Sequence, residues 1–287
     1  MESTTTAGRV IKGLEFARPE GAAPLLLDLH LPAEAQIGGS SPAIVHFHGG
    51  GWRTGERSSL GPSVDGTGIN PIGALVAAGF VVASADYRLS GTAVFPAQLQ
   101  DAKAAVRWLR TNAAAYGVDP DRIYAWGDSA GGHLASLVAL TADANTTAAD
   151  RVAAVAAWYP PTDLVKMGSQ ALPDAVASAD DPGSREALLL GAQPADAPEK
   201  AAAASPLSYV HRDAPPFFLA HGTADRFVPA AQSASLADAL EAAGAAVELL
   251  LIEGADHMWG GPDGSTAAAA QATAATVDFF RRQATHH

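Results

Sequence analysis

The chain has 287 residues, carries 30 acidic against 18 basic side chains for a formal charge of −12, and contains no cysteine. That balance repels phosphate backbones and excludes nucleic acid as a partner, while the missing thiols exclude disulfides, thiolate metal sites and a cysteine nucleophile. No apolar run approaches the ~20 residues that span a bilayer, and a chain of this size buries roughly 75% of its unfolded surface, enough for a core without covalent staples.

Met1 to Thr6 has neither a basic n-region nor an apolar h-region, so no signal peptide is read and a cytoplasmic location is expected. His286-His287 read as a tag remnant and are set aside. In Leu25–Leu31 the leucines at 25, 27, 29 and 31 share one face while Asp28 and His30 take the other, the period of a strand with one wet face. Val10–Phe16 is its expected hairpin partner, and Gly38-Gly39-Ser40-Ser41-Pro42 reads as a loop. Short apolar runs follow at Ala43–Phe47, Phe80–Ala85, Ile123–Trp126, Val152–Trp158, Pro216–Ala220 and Val247–Ile252. Most lack alternation, as parallel strands buried on both faces do. Between them Leu99, Ala102, Val106 and Leu109 form a helical stripe, Leu236, Ala239, Leu240 and Ala243 form another, and Val277 with Phe280 marks a C-terminal helix. Strands alternating with helices predict an α/β fold with a mostly parallel sheet covered on both faces. Residues 162–208 carry scattered Pro, Gly and Asp with no strand pattern, and read as a lid insertion within a single domain spanning 8–287.

Ile123–Trp126 runs into Gly127-Asp128-Ser129-Ala130-Gly131-Gly132 and then a helical stretch. This is G-x-S-x-G in the strand–turn–helix context that presents a serine nucleophile, here at a helix N-terminus that favours a developing oxyanion. Upstream, His48-Gly49-Gly50-Gly51-Trp52 ends an earlier strand. Its glycines leave backbone N–H groups open, and the amides of Gly50, Gly51 and Ala130 are the candidate oxyanion hole. An acid and a base are then expected in the order Ser, Asp, His. His221-Gly222-Thr223-Ala224-Asp225 and Asp256-His257 each follow a strand, on the edge where such sheets hold their sites. Asp225 is the candidate acid and His257 the candidate base, with Asp256 as the rival acid. Trp52 and Trp259 flank the site in sequence and are candidates to line a substrate pocket, with core packing equally open. His46 and His48 form an H-x-H without a third ligand, His133 is read as helix packing, and Asn145-Thr146-Thr147 is a sequon without a role.

These motifs, with Asp86-Tyr87-Arg88, resemble the esterase branch of the α/β hydrolases around hormone-sensitive lipase, the bacterial carboxylesterases and the feruloyl-esterase-like enzymes. The match runs from about Leu27 to Phe280. The resemblance implies an eight-stranded α/β-hydrolase sheet, a Ser129–Asp225–His257 triad, no cofactor and no metal, and hydrolysis of carboxylic esters with short acyl chains. Where hormone-sensitive-lipase relatives carry an N-terminal helical cap, this chain has strands, so the lid falls to residues 162–208, as in the smaller feruloyl-esterase-like and arylformamidase-like members. A small-molecule ester is the expected partner, and a homodimer stays open. An arylformamidase-like amide hydrolase and an acetyl- or feruloyl-polysaccharide esterase are the enzymatic alternatives; a ligand-binding protein on a hydrolase scaffold is the non-enzymatic one.

Overall fold

Each apolar run read from the sequence supplies a strand of one sheet in the computed structural model, which describes residues 2–5, 8–33, 40–61, 64–65, 68–142, 148–261 and 265–285. The expected eight strands are β2 (Gly8–Ala17), β3 (Leu25–Leu31), β4 (Ser41–Phe47), β5 (Val81–Ala85), β6 (Val118–Asp128), β7 (Val155–Trp158), β8 (Phe217–Gly222) and β9 (Val247–Ile252). A four-residue strand β1 (Glu2–Thr5) adds a ninth at the edge, giving the order β1-β2-β3-β5-β4-β6-β7-β8-β9. The first three pairings are antiparallel and the rest parallel. Gly38-Gly39, Asn145-Thr146-Thr147 and His286-His287 lie outside the described residues. Ser41 and Pro42, expected in a loop, begin β4.

The unbroken apolar runs sort by period two into two layers. Val45, Ala83, Ala125, Ala157 and Leu219 face one cluster, into which α2 (Ala97–Thr111), α3 (Ala130–Leu140) and α6 (Ala231–Ala243) pack Val106, Leu134 and Leu236. Ile44, Val82, Trp126, Trp158 and Phe218 face the other, against Leu75 of α1 (Pro71–Ala77) and Phe279 and Phe280 of α7 (Ala267–Thr285). All residues of α3 are buried, so this helix is sealed between sheet and outer helices. Helix α1 was not read from the sequence, although Asn70 caps the Gly73 amide at 2.8 Å and Pro71 opens the helix, both ordinary start signals.

Two burial expectations change. Asp28, expected on a wet face, is only 3% exposed. It accepts hydrogen bonds from the Gly13 amide and from Arg57 Nε, both at 2.8 Å, so the loop carrying Arg57 covers that face. Conversely β9 is an edge strand, and Leu249 and Leu251 reach solvent at 37% and 46% exposure.

Strand register decides where the site forms. Phe47 pairs with Gly127, Asp128 with Trp158, Trp158 with Ala220 and Gly222 with Ile252. The parallel strands therefore end level, and the loops after β4, β6, β7, β8 and β9 leave one edge together. Chain order reverses across β4, whose neighbours are β5 and β6. A crevice at such a switch point is where open α/β sheets bind ligands. Residues 162–208 contribute no strand; they hold α4 (Arg185–Leu190), α5 (Pro198–Ala203) and a helical turn at Pro206–Tyr209. Leu164, Leu189, Leu190, Ala201 and Ala204 tie this segment to the first core layer.

Candidate active site

Ser129 sits at the tip of the turn between β6 and α3 with φ 51° and ψ −117°, a conformation costly for a residue with a Cβ. The turn closes only because its flanking positions are glycine. A Cβ on Gly127 would collide with the Gly131 carbonyl carbon, and one on Gly131 with the Phe47 carbonyl oxygen. The Ser129 amide donates to Trp158 O at 2.8 Å, which anchors the turn to β7 and leaves the side chain free of the backbone.

The sequence-predicted partners meet there. His257 Nε2 lies 3.1 Å from Ser129 Oγ, and His257 Nδ1 lies 2.7 Å from Asp225 Oδ2. The Nδ1–H donates to the carboxylate, which leaves Nε2 as an acceptor facing the hydroxyl. Asp225 Oδ1 accepts from the amides of Phe227 and Val228 at 2.9 and 2.8 Å. His221 Nε2 approaches Asp225 Oδ2 at 3.3 Å and the Val228 carbonyl at 2.8 Å, while its Nδ1 meets Ser233 Oγ at 2.7 Å. Burial alone would raise the Asp225 carboxyl, but the hydrogen bonds from His221 and His257 outweigh it and hold it well below the ordinary carboxylate range.

Asp256, the rival acid, has another task. It accepts from the Arg226 and His257 amides at 2.9 and 2.7 Å and pairs with Arg226 Nη2 at 2.6 Å. It clamps the β8 loop to the β9 loop and turns away from the imidazole.

The amides of Gly50, Gly51 and Ala130 have no acceptor among the described residues. Gly50 and Gly51 adopt φ of 108° and 60° and line the cavity, while Ala130 is the first residue of α3. Several groups hold this loop. Asp128 Oδ1 accepts from the Gly49 amide at 3.0 Å. The Tyr87 hydroxyl donates to His48 O at 2.9 Å, and its ring stacks on the His48 ring at 4.3 Å. Trp52 Nε1 donates to His133 Nδ1 at 3.1 Å. His46 and His48 have separate partners, Ser84 Oγ at 2.8 Å and Gly49 O at 2.7 Å.

A cavity of about 810 Å³ opens above Ser129 and His257, within the size range of small-ligand sites. The segment 162–208 supplies much of its wall, including Met167, Ala179, Arg185 and Glu186. Trp52 lines the cavity although only 1% exposed. Trp259 does not. Its ring packs on Trp158 and Tyr159 at 5.4 and 4.7 Å in the second core layer. The cause is local: Met258 and Trp259 both have positive φ, which turns the chain after His257 back into the core. All five non-glycine residues with positive φ among those described, Trp52, Ser129, Tyr159, Met258 and Trp259, lie on this one edge.

Sequence reading missed His221, which buttresses Asp225, and Tyr159, whose ring leans on His257 at 4.6 Å. The first was visible as part of the His221-Gly222 turn. The second had no signal beyond its place one residue past a strand.

His133 ties loop to insertion. Its Nε2–H donates to Ala204 O at 2.6 Å while Nδ1 accepts from Trp52. Burial lowers its pKa from 6.5 to about 4, so it sits neutral in the folded state. The unfolded chain then takes up the proton first, and the stability His133 contributes is fully present above pH 6.5 and lost as pH falls toward about 4. Thermal unfolding of wild type beside His133→Asn is expected to show a wild-type advantage at pH 7 that narrows by pH 4.5 or so. An advantage constant with pH would contradict the neutral assignment.

A mostly parallel sheet wound with helices on both faces, with a serine, a histidine and an aspartate brought together at its carboxyl edge, is the α/β-hydrolase fold. Comparison with known proteins narrows this: the family model BD-FAE matches residues 27–240, and the chain belongs to that family. Esterase LipQ of Mycobacterium tuberculosis is 34% identical over 231 residues, covering 77% of this chain and 51% of LipQ. The chain spans about half the length of the curated relatives it matches. Among solved structures, a truncated carbohydrate esterase from gut microbiota superposes with a TM-score of 0.79 at 28% identity over 98% of both chains. The propionate-bound esterase Est2 of Thermogutta terrifontis gives 0.73 at 28% identity, covering 96% of this chain and 94% of that one. No helix among the described residues is long and apolar enough to cross a membrane.

Proposed function

We propose that this chain is a serine carboxylesterase acting on small esters with short acyl groups. The observation that carries the reading is the unbroken Ser129–His257–Asp225 relay, at 3.1 and 2.7 Å, facing a cavity. Ser129 Oγ attacks the ester carbonyl while His257 Nε2 takes its proton. The tetrahedral oxyanion accepts from the amides of Gly50, Gly51 and Ala130. His257 then protonates the departing alcohol, and in the second half it activates water against the acyl-enzyme. Asp225 remains ionised throughout, fixing the imidazole tautomer and stabilising the imidazolium. Trp52 borders the substrate, and residues 162–208 act as the lid.

Two things support a short acyl chain. Trp52 fills space beside the oxyanion loop, and the similar Est2 has been solved with propionate and with butyrate bound. Para-nitrophenyl esters from acetate to palmitate test this directly. Turnover is expected to peak between acetate and butyrate and to fall steeply beyond. A peak at palmitate would overturn the short-chain reading, and no hydrolysis of any member would overturn the esterase reading in favour of a binding scaffold. Running N-formylkynurenine and methyl ferulate alongside separates the amidase and feruloyl alternatives.

A further inference from the structure

Arg185 stands apart from most arginines in this acidic chain. Arg57, Arg88, Arg107, Arg122, Arg226 and Arg282 each hold a carboxylate. Arg185 forms no ion pair among the described residues and lines the candidate active-site cavity. Its side chain lies across the oxyanion loop, where a Cβ added to Gly51 would collide with its Cδ. Its guanidinium carbon sits 5.5 Å from the centre of the Phe227 ring, and that ring is 5.4 Å from the His257 ring. An aromatic face supports the cation and leaves its N–H fork without a carboxylate partner.

The helix that carries this exposed side chain is held in place. Ser184 caps α4 by accepting from the Ala187 amide at 3.0 Å, and Leu189 and Leu190 bury the helix in the first core layer. Phe95 N donates to Leu189 O at 2.8 Å, pinning the same helix to the loop that precedes α2. Three carboxyl groups share the cavity wall. Asp128 is committed to the Gly49 amide, and neither Asp181 nor Glu186 forms an ion pair with Arg185, although the neighbouring Glu186 carboxyl feels its charge.

We propose that Arg185 is a specificity residue that holds a carboxylate carried by the substrate, so that the preferred esters of this site are anionic. The proposal rests on the serine-esterase reading above. A guanidinium poised between the oxyanion loop and the loop bearing Asp225 meets an anion close to the scissile carbonyl, and its planar fork matches a carboxylate with two parallel hydrogen bonds. The net charge of −12 repels anions at long range. A preference for a charged substrate must therefore arise at the site and not from the field of the whole molecule.

Matched pairs of esters read this out. On the alcohol side, para-acetoxybenzoate is compared with para-acetoxybenzamide. On the acyl side, the para-nitrophenyl half-ester of adipate is compared with its primary amide. The measured quantity is kcat/KM of the charged member over that of its neutral twin, so any general loss of activity in a variant cancels. Wild type is expected to favour the charged member by roughly tenfold in at least one pair, the scale of a hydrogen bond to a charged group. Arg185→Gln brings that ratio to about one or below, and Arg185→Lys keeps part of it. A wild-type ratio at or below one in both pairs, or a preference that survives Arg185→Gln, overturns the proposal. If the neutral twins are hydrolysed in that case, the esterase reading stands alone; if none of the four esters is turned over, both readings fall.

Discussion

Replacing Ser129 with alanine is expected to lower kcat on para-nitrophenyl acetate by roughly 10⁶, as loss of the serine does in a comparable protease. The size of the effect follows from the geometry. Ser129 Oγ is the hydroxyl that the Nε2 of His257 faces, at 3.1 Å, and its removal leaves the imidazole without a proton to take. The fold has little reason to respond. The bond that holds the turn runs from the Ser129 amide to Trp158 O and survives the substitution, as do Gly127 and Gly131. Near-identical unfolding midpoints with activity lost is therefore the expected pattern. A fluorophosphonate probe gives an independent reading, adding its mass to wild type once per chain and leaving the alanine variant unlabelled. Comparable rates in the two proteins would remove Ser129 from the mechanism.

Asp225→Asn is the second large effect, expected at roughly 10⁴ in kcat, the loss seen when the acid of a serine protease is neutralised. In this chain the cause is a reversal of donors. Asp225 Oδ2 accepts from His257 at 2.7 Å and is approached by His221 at 3.3 Å. An amide nitrogen at that position offers protons where both imidazoles already donate. His257 can relieve the conflict by moving its proton to Nε2, which then points a donor at Ser129 Oγ and can no longer act as base. The same substitution at Asp256 is expected to cost less than about tenfold, because that carboxylate clamps Arg226 and the His257 amide without touching the ring. Stopped assays on both variants at pH 7 to 8 distinguish the two acids. A larger loss at Asp256 than at Asp225 would reverse their assignment.

Much of the fold was legible because the chemistry of each strand is local. A parallel strand buried on both faces is apolar at most positions, and the period of two that sorts Val45 from Ile44 between layers needs no polar marker. The meeting of Ser129, Asp225 and His257 was legible because each follows a strand within a short motif, and level strand ends bring the three together. What escaped depended on tertiary placement. Asp28 sits at a position that reads as exposed, and only the return of the chain at Arg57 buries it. Trp259 is two residues from His257, yet a left-handed turn between them sends its ring into the core. Arg185 lies in an insertion with no strand period, so nothing in its neighbourhood tied it to Gly51 or Phe227 before the backbone did.

Five strained backbone positions on one edge have a cost that can be weighed. Each non-glycine residue held at positive φ costs of the order of 1–3 kcal/mol, and together they approach the net stability of a typical domain, about 5–15 kcal/mol. The sheet beneath is thus less a platform than an abutment, and the loops above it stand like an arch whose thrust the two core layers must take up. Ser129 and Tyr159 keep their poses because their amides are bonded to the carbonyls of Trp158 and Ala220 on neighbouring strands, and the buried helix α3 closes over the turn. Residues far from any substrate are in that sense part of the tool, since slack introduced among them is delivered first to the working edge.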